Sequence, residues 1–377
     1  MKTVFIKNSM LVFALLAITG GGLLAQNQSA FVAKGHINGL ADGEVYLAFG
    51  TFDKMPADTV QVKDGDFEFK DSIAGPCYGM LFNHDFTLKV DLLLDKGNIA
   101  ISGDIDSSYD IKVSGSQIVN EYAAYNQALS NTKKPVQEIY EKWISAYNNG
   151  DSDGVRKYKP QFFTARDIQV KEAVKLQLDF IKNNPDNIGS AWELFHYLNE
   201  KTLDQSKAMF AGFTDAVKKS IQGEEVNQRI ATLSRIEVGN HAPGFKQKSV
   251  DNQEITLASY KGKYVLLEFW ASWCGPCRAE SPNVLKAYNT YKNKGFDVLS
   301  VSLDNVRKNW EAAIQKDGLL WTQVSDLKGW KNDVATLYGV QAVPANFLID
   351  PTGKIVAENL RGDDLNIKLE ELFVDKK

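Results

Sequence analysis

The sequence predicts three parts: a β-rich N-terminal domain over residues 26–115, a mostly helical region over residues 116–236 and an α/β domain over residues 237–377. Three observations support this division. The first part has short β-branched and aromatic runs separated by Asp-Gly and Lys-Gly turns, and the second has apolar residues spaced three and four apart. In the third part β-type and α-type segments alternate, and the linker EVGNHAPGF precedes them.

Length and composition limit the classes of protein to consider. A chain of 377 residues favours two or three domains, and 44% hydrophobic with 24% charged residues is typical of a globular protein. Nucleic-acid binding requires a basic face, and the net charge of −4 gives no indication of one. We therefore expect no nucleic-acid partner.

Residues 1–25 have the features of a secretory signal peptide. Lys2 and Lys7 precede an apolar run over residues 10–18, and a small residue, Ala25, marks a plausible cleavage point. The apolar run is shorter than the ~20 residues needed to span a bilayer, which argues against a retained anchor. We therefore expect an exported protein of the periplasm or cell envelope.

Four segments of the first part carry the strand signal: FVAKGHINGL, GEVYLAFG, DTVQVKDGDFEFK and GNIAISGDID. The residues Lys63-Asp64-Gly65-Asp66 lie between two alternating runs and predict a β-hairpin. We expect a small antiparallel sheet or sandwich of roughly six to eight strands.

The second part is predicted to contain several helices, separated by Asn148-Asn149-Gly150 and by Asn184-Pro185-Asp186. The sequence leaves open whether this region is a domain or an arm that packs on its neighbours. It could also mediate a homodimer.

In the third part we predict strands and helices in an alternating order. The strands are predicted over 264–270, 296–301, 345–349 and 354–358, the last two as a hairpin. The helices are predicted over 274–292 with an interruption at Pro282, 309–316, 331–338 and 365–373. This alternation predicts a mostly parallel sheet with helices on both faces.

Cys274 and Cys277, in the segment FWASWCGPCR, are two of the three cysteines of the chain. A structural zinc site needs four ligands, and Cys77 and the four histidines are scattered, so we expect no metal. A structural disulfide is also disfavoured, because a bridge that closes so short a loop constrains the unfolded chain little.

A redox function has a physical basis. The pair lies where a predicted strand turns into a helix, and the N-terminal N–H groups and dipole of a helix favour a thiolate. Cys274 is therefore the expected nucleophile, and Cys277, one turn later, is placed to resolve the mixed disulfide. Pro276 lacks an N–H that would have no partner in the first helical turn.

FWASWCGPCR together with VPANFLID resembles the thioredoxin superfamily, and in particular its exported TlpA/ResA-like thiol–disulfide oxidoreductases, over about Gly239 to Phe373. The resemblance implies a thioredoxin-like fold, protein thiol or disulfide substrates, a membrane protein as electron donor and no cofactor. It implies that Val343-Pro344 is a cis-proline turn where the partner backbone docks. Trp273, Gly275 and Pro276 are expected on the same docking surface. The β-rich module upstream resembles exported proteins of Bacteroidetes-like bacteria, whose N-terminal module has no established function.

The resemblance also places at Glu268 a buried acid that handles protons for the second cysteine. A buried carboxyl has a raised pKa and can act as acid or base near neutrality. The alternative is a glutamate at a strand end in contact with water. The lysine that partners this acid in many thioredoxins is absent, and Ser300 lies near its place on the next strand.

Other candidates are expected to be structural or remain undecided. Cys77 is expected to be a buried free thiol, the alternative being a third redox partner. Arg278 and Glu280 could tune the thiolate or only cap and solvate the helix. The tryptophans outside the motif are expected to be core residues or surface anchors: Trp310, Trp321 and Trp330.

The leading hypothesis is an exported oxidoreductase that reduces protein disulfides, since Gly275-Pro276 is the dipeptide of reducing thioredoxins. A second is a thiol peroxidase of the related AhpC/TSA group, whose peroxide site needs Pro-x-x-x-Thr-x-x-Cys. Leu267 and Ala271 stand where that proline and threonine should be. A third is an envelope protein that binds a partner through its N-terminal parts and carries the redox domain as an accessory.

Overall fold

The computed structural model of the protein describes residues 28–51 and 55–374. The predicted signal peptide lies outside the described residues. Within these ranges, no helix has both the length and the apolar character needed to cross a bilayer.

The described residues of the N-terminal part form eight strands in two four-stranded sheets. Their bounds are β1 (Ser29–Asn38), β2 (Gly43–Phe49), β3 (Ala57–Val62), β4 (Asp66–Ile73), β5 (Cys77–Asn83), β6 (Lys89–Leu94), β7 (Gly97–Asp104) and β8 (Lys112–Ser114). The strand orders are β4-β1-β7-β8 and β3-β2-β5-β6. Neighbouring strands are antiparallel except β1 and β7, which are parallel. The predicted β-rich fold is confirmed.

Strand β1 shows how alternation builds this core. Phe31, Ala33, Gly35 and Ile37 point inward, and the residues between them are more exposed. Phe31 meets Phe49 of the other sheet edge to face, with ring centroids 5.8 Å apart. A side chain at Gly35 would place its Cβ 1.9 Å from the ring of Phe67, so only glycine fits there.

The predicted hairpin at residues 63–66 forms as a turn but not as a pair of strands. Asp64 and Gly65 have φ angles of 54° and 82°, as a type I′ turn requires, and Lys63 and Asp66 exchange backbone hydrogen bonds of 3.0 and 2.9 Å. Beyond the turn β3 pairs with β2, whereas β4 pairs with β1. The prediction of a hairpin is wrong because the two strands bury their apolar residues in different sheets.

The middle part consists of six α-helices among the described residues. They are α1 (Gln117–Asn148), α2 (Ser152–Asn183), α3 (Ile188–Tyr197), α4 (Leu203–Gly212), α5 (Asp215–Lys218) and α6 (Ile221–Arg235). The two predicted breaks separate α1 from α2 and α2 from α3. The Asp151 carboxylate caps α2 by accepting a 2.9 Å hydrogen bond from the N–H of Gly154.

The helical region shares a core with the β-rich part. Helix α1 packs on β6 and β8, and α3 and α6 pack on β5. The ring of Tyr78 in β5 stacks on Trp192 in α3. Helices α1 and α2 pair along their length, yet their buried residues lie near the helix ends. The long α1–α2 hairpin therefore extends from the core as an arm.

The C-terminal part has a five-stranded sheet of order β13-β12-β11-β14-β15 and a small β9–β10 pair. The strands are β9 (Lys246–Lys248), β10 (Glu254–Thr256), β11 (Tyr264–Trp270), β12 (Phe296–Ser302), β13 (Thr322–Val324), β14 (Ala345–Ile349) and β15 (Ile355–Glu358). The helices are α7 (Gly275–Tyr291), α8 (Arg307–Asp317), α9 (Asp333–Leu337) and α10 (Asp363–Val374). The four predicted strands are present, and β9, β10 and β13 were not predicted.

The sheet is mixed, so the prediction of a mostly parallel sheet is wrong. Strands β11, β12 and β13 are parallel, but β14 is antiparallel to β11 and β15 to β14. Because β14 runs back, its first residue, Ala345, pairs with Phe269 near the end of β11. This reversal brings the segment before β14 to the pole of the sheet where β11 delivers the cysteine pair.

Helix α7 continues through Pro282, so the predicted interruption is wrong. A proline inside a helix removes one backbone hydrogen bond. On either side of Pro282, the buried residues Cys277, Ser281, Val284 and Ala287 anchor the helix. This packing holds the helix together across the missing bond.

Candidate active site

Strand β11 delivers the cysteine pair to the start of α7. Cys274 is the N-cap of α7, and its sulfur lies 3.2 Å from the backbone nitrogen of Cys277, which donates to it. The two cysteines form a disulfide. Cys274 is 4% exposed and Cys277 is 1% exposed, so the first cysteine is the more accessible of the two. This geometry gives the Cys274 sulfur a helix N-terminus, which favours a thiolate after reduction.

The turn before the pair is held by a buried carboxylate at the end of β12. Asp304 accepts hydrogen bonds from the backbone N–H of Ser272 at 2.9 Å and from its hydroxyl at 2.5 Å. The hydroxyl of Ser302 donates to the same carboxylate at 2.7 Å. Asp304 is 2% exposed, so these contacts fix the loop on its buried side.

The surface around the pair is apolar and open. Trp273 is 54% exposed and Trp330 is 49% exposed, and their ring centroids are 5.8 Å apart. Gly275 and Pro276 are exposed as well, and no atom lies within 4 Å of the Cβ position of Gly275. A partner chain can therefore approach the Cys274 sulfur along this rim.

The Val343–Pro344 peptide bond is cis, as the resemblance implied. Both residues are half-buried and directly precede Ala345, which pairs with Phe269. The carbonyl of Pro344 accepts a hydrogen bond from the Arg361 guanidinium. The cis-proline turn and the cysteine loop thus lie at the same pole of the sheet.

Glu268 is buried, with 6% of its surface exposed, so the alternative of a water-exposed strand end is wrong. It pairs with Ser300 in β12, whose hydroxyl donates to the Glu268 carboxylate at 2.7 Å. The indole N–H of Trp321 donates in turn to the Ser300 hydroxyl at 2.7 Å.

Burial raises the pKa of Glu268 above its usual range. The hydrogen bond from Ser300 and the charge of Arg361 act in the opposite direction, and the charge of Glu280 on α7 adds to the increase. A carboxyl with a raised pKa near a cysteine pair can accept and return a proton near neutrality.

Arg278 and Glu280, which the sequence left undecided, both have structural partners. Arg278 forms a bidentate pair with Asp317, at 2.7 and 2.6 Å, and these hydrogen bonds lower the pKa of Asp317. Glu280 accepts hydrogen bonds from the backbone N–H of Gly362 at 2.8 Å and from the Asn283 amide at 2.7 Å. Glu280 thereby joins α7 to the segment before α10.

Cys77 is a buried free thiol in β5, as expected. Burial raises its pKa to about 12, so the thiol stays protonated. Among the described residues no group of three or more His, Cys, Asp or Glu side chains is arranged to hold a metal ion. Leu267 and Ala271, at the positions that a peroxide site would need, are fully buried.

Four residues of the site were not assigned to it from the sequence: Asp304, Trp321, Trp330 and Arg361. Asp304 carried a usable signal, because it is a polar residue two positions after the end of β12, and sites in open α/β sheets lie at such strand ends. Trp321 and Trp330 were expected only to be core residues or surface anchors. Nothing in the local sequence around Arg361 indicates that it reaches Pro344.

Comparisons with known proteins match two parts of the chain. Residues 238–358 match the model of the AhpC/TSA family, and residues 31–122 match a domain of unknown function, DUF4369. The chain is 32% identical over 137 residues to the thiol–disulfide oxidoreductase ResA of Bacillus thuringiensis subsp. konkukian, covering 36% of this chain and 77% of the relative. It is 33% identical over 140 residues to ResA of Geobacillus thermodenitrificans, covering 36% of this chain and 79% of the relative.

Solved structures match the same C-terminal part. The thioredoxin domain of a thiol–disulfide oxidoreductase from Bacteroides vulgatus is 40% identical, with 36% of this chain and 97% of that chain covered and a TM-score of 0.35. A thiol–disulfide oxidoreductase from Bacteroides fragilis is 38% identical, with 35% of this chain and 99% of that chain covered and a TM-score of 0.34.

Proposed function

We propose that this chain, which belongs through its C-terminal domain to the ResA-like family of thiol–disulfide oxidoreductases, reduces protein disulfides with Cys274 and Cys277. One observation carries the proposal. The Cys274 sulfur occupies the N-cap of α7 and accepts the N–H of Cys277, beside an open apolar rim.

The first step begins from the reduced pair. The Cys274 thiolate attacks one sulfur of a partner disulfide, a Cys274–partner disulfide forms, and the second partner sulfur leaves as a thiolate that takes up a proton. The exposed faces of Trp273 and Pro276 provide the contact surface. The partner backbone then lies along Val343 and Pro344, at the same pole of the sheet.

The second step releases the partner. The Cys277 thiol gives its proton to the Glu268 carboxylate and attacks the Cys274 sulfur. The mixed disulfide breaks, the partner leaves with its second thiolate, and the Cys274–Cys277 disulfide forms. Two electrons have passed from the pair to the partner, and an external dithiol must reduce the pair again.

Export and the identity of the electron donor are parts of the same proposal. The features of residues 1–25 support secretion to the periplasm or cell envelope. A reductase in an oxidising compartment needs a supply of electrons, and a membrane dithiol protein is the expected donor.

The peroxidase alternative is less well supported, although the AhpC/TSA model covers the domain. A peroxide site needs polar groups beside the nucleophile, whereas Leu267 and Ala271 are apolar and 0% exposed. The alternative of a binding protein with an accessory redox domain remains distinguishable by experiment.

The test is disulfide trapping with the Cys277→Ser variant. Without a resolving thiol, the mixed disulfide on Cys274 persists, so partners should appear as adducts on non-reducing gels that disappear on reduction. A protein that binds partners only through its N-terminal parts would retain them without any adduct, and that result would overturn the proposal.

Two matched variants control this experiment. Cys274→Ser should trap nothing, because it lacks the nucleophile. Cys77→Ser, which removes a buried protonated thiol, should reduce disulfides like the unmodified protein. The reduction potential of the pair gives the direction: a value near roughly −270 mV supports a reductase, and one near roughly −120 mV would indicate a disulfide donor.

A further inference from the structure

The segment between β15 and α10 is fastened at the active-site pole by side chains of β14 and α7. The Asn346 amide group donates to the carbonyl of Leu360 at 2.8 Å and accepts from its N–H at 3.0 Å. Glu280 accepts from the N–H of Gly362 at 2.8 Å. The residue between these two attachments, Arg361, therefore has little freedom in where its side chain goes.

The Arg361 guanidinium is directed into the site. One of its nitrogens donates to the Pro344 carbonyl and another to the Leu360 carbonyl, the latter at 3.1 Å. Burial lowers the pKa of Arg361, and the charges of Glu280 and Glu268 act against that decrease. Since arginine stays protonated in proteins, a fixed positive charge lies at the docking turn, where the residue after Pro344, Ala345, pairs with Phe269 next to Glu268.

Among residues 28–51 and 55–374, Arg361 is the cation whose charge acts on Glu268. Ser300, opposite Glu268 in β12, brings a hydroxyl without charge, and Asn346, opposite it in β14, is neutral. The charged groups that influence Glu268 are Arg361, which favours its carboxylate, and Glu280, which disfavours it.

We infer that Arg361 is a positioning residue that holds the Pro344 carbonyl in place for the docked partner and favours the carboxylate form of Glu268, which accepts the proton of Cys277. This inference rests on the proposed function. Without Arg361, the Glu268 carboxyl keeps its proton to a higher pH, because burial and the charge of Glu280 then disfavour the carboxylate and only the hydrogen bond from Ser300 favours it. Attack by Cys277 then also begins at a higher pH.

The experiment measures Glu268 directly in the full-length protein. Infrared spectra recorded over a pH series show the carboxyl band of protonated Glu268, which the Glu268→Gln variant identifies by its loss. In Arg361→Gln we expect the midpoint of this band to rise by about one pH unit, the lower end of the effect of an adjacent opposite charge. The pH profile for reduction of a model protein disulfide should shift in the same direction.

Matched variants separate charge from structure. Arg361→Lys retains the charge and should keep the midpoint close to that of the unmodified protein. Arg307→Gln removes another arginine of this domain that donates to a backbone carbonyl, that of Val250 at 3.0 Å, and should leave the midpoint unchanged. In a Glu268→Gln background, Arg361→Gln should add no shift to the pH profile.

Two results would overturn the inference: an unchanged Glu268 midpoint in Arg361→Gln, or an equal shift in Arg361→Gln and Arg361→Lys. If Arg361→Gln is too unstable to measure, a raised Glu268 midpoint in Arg361→Lys alone would overturn the inference, because that variant retains the charge. Failure of the proposed function looks different, since the unmodified protein itself would then reduce no disulfide.

Discussion

The helical region and the C-terminal sheet each bury a glutamate, and the two differ in their hydrogen-bond partners. Glu193 in α3 accepts hydrogen bonds from Tyr122 at 3.0 Å, Tyr125 at 2.9 Å and Gln177 at 3.0 Å. Glu268 in β11 accepts one from Ser300 at 2.7 Å. Burial raises the pKa of both carboxyls, so burial alone does not distinguish their roles.

The difference teaches how to separate a structural carboxylate from a reactive one. The three hydrogen bonds to the Glu193 carboxylate join α1, α2 and α3. They leave the carboxylate little capacity to accept a hydrogen bond from a further donor. Glu268 has acceptor capacity left and lies on the strand that leads to Cys274. The cysteines show a similar contrast at equal burial, because Cys77 lies within a strand of the β-rich part whereas Cys274 begins a helix beside an exposed rim.

The largest expected effect is on stability in the helical region. Glu193→Ala leaves the buried hydroxyls of Tyr122 and Tyr125 without an acceptor and should destabilise the protein by about 3–5 kcal/mol. Urea unfolding followed by circular dichroism at a helical wavelength measures this change. Tyr125→Phe removes a single donor and should cost about 1 kcal/mol. If Glu268→Ala destabilises the protein as much as Glu193→Ala, the comparison between the two carboxylates fails.

A smaller effect is expected for Glu268→Gln, and it depends on pH. The pKa of Glu268 is raised in the folded state, so its contribution to stability is present at low pH and is lost as pH rises through the folded pKa. The neutral glutamine does not ionise. Its Tm should therefore equal that of the unmodified oxidised protein near pH 4 and exceed it at pH 8 by about 2–4 °C, the shift that ~1 kcal/mol produces.

Calorimetry of the oxidised protein at both pH values measures this difference. An equal Tm difference at pH 4 and pH 8 would show that Glu268 does not ionise at a cost to the fold.

The smallest effect is expected at the rim of the active site. Trp330→Ala removes half of the exposed Trp273–Trp330 pair and should raise KM for a protein disulfide several-fold, while kcat and stability stay the same. Steady-state reduction of insulin at several concentrations separates the two constants. Substitution of Phe86, another exposed aromatic that lies in the β-rich part, should change neither. A fall in kcat with no change in KM would contradict a docking role for Trp330.

Features that depend on neighbours in sequence were predicted well. The eight N-terminal strands lie within the predicted range, the breaks between α1, α2 and α3 are at the expected residues, and Cys274 is at a helix start. Predictions failed where a local signal met a competing long-range contact. The Asp64-Gly65 turn formed, but its strands joined different sheets, and α7 continued through Pro282 because its face packs on both sides.

The sequence by itself determined the redox pair and its setting, because a strand, a turn and a helix N-terminus are encoded by adjacent residues. Only the tertiary structure decided which groups surround that pair. The antiparallel course of β14 brings Pro344 to the cysteine loop, and the register of β12 places Ser300 against Glu268. Arg361 reaches the same site from beyond β15. Such contacts join residues far apart along the chain. They depend on the order and register of the strands in the sheet, and no local sequence pattern specifies that order or register.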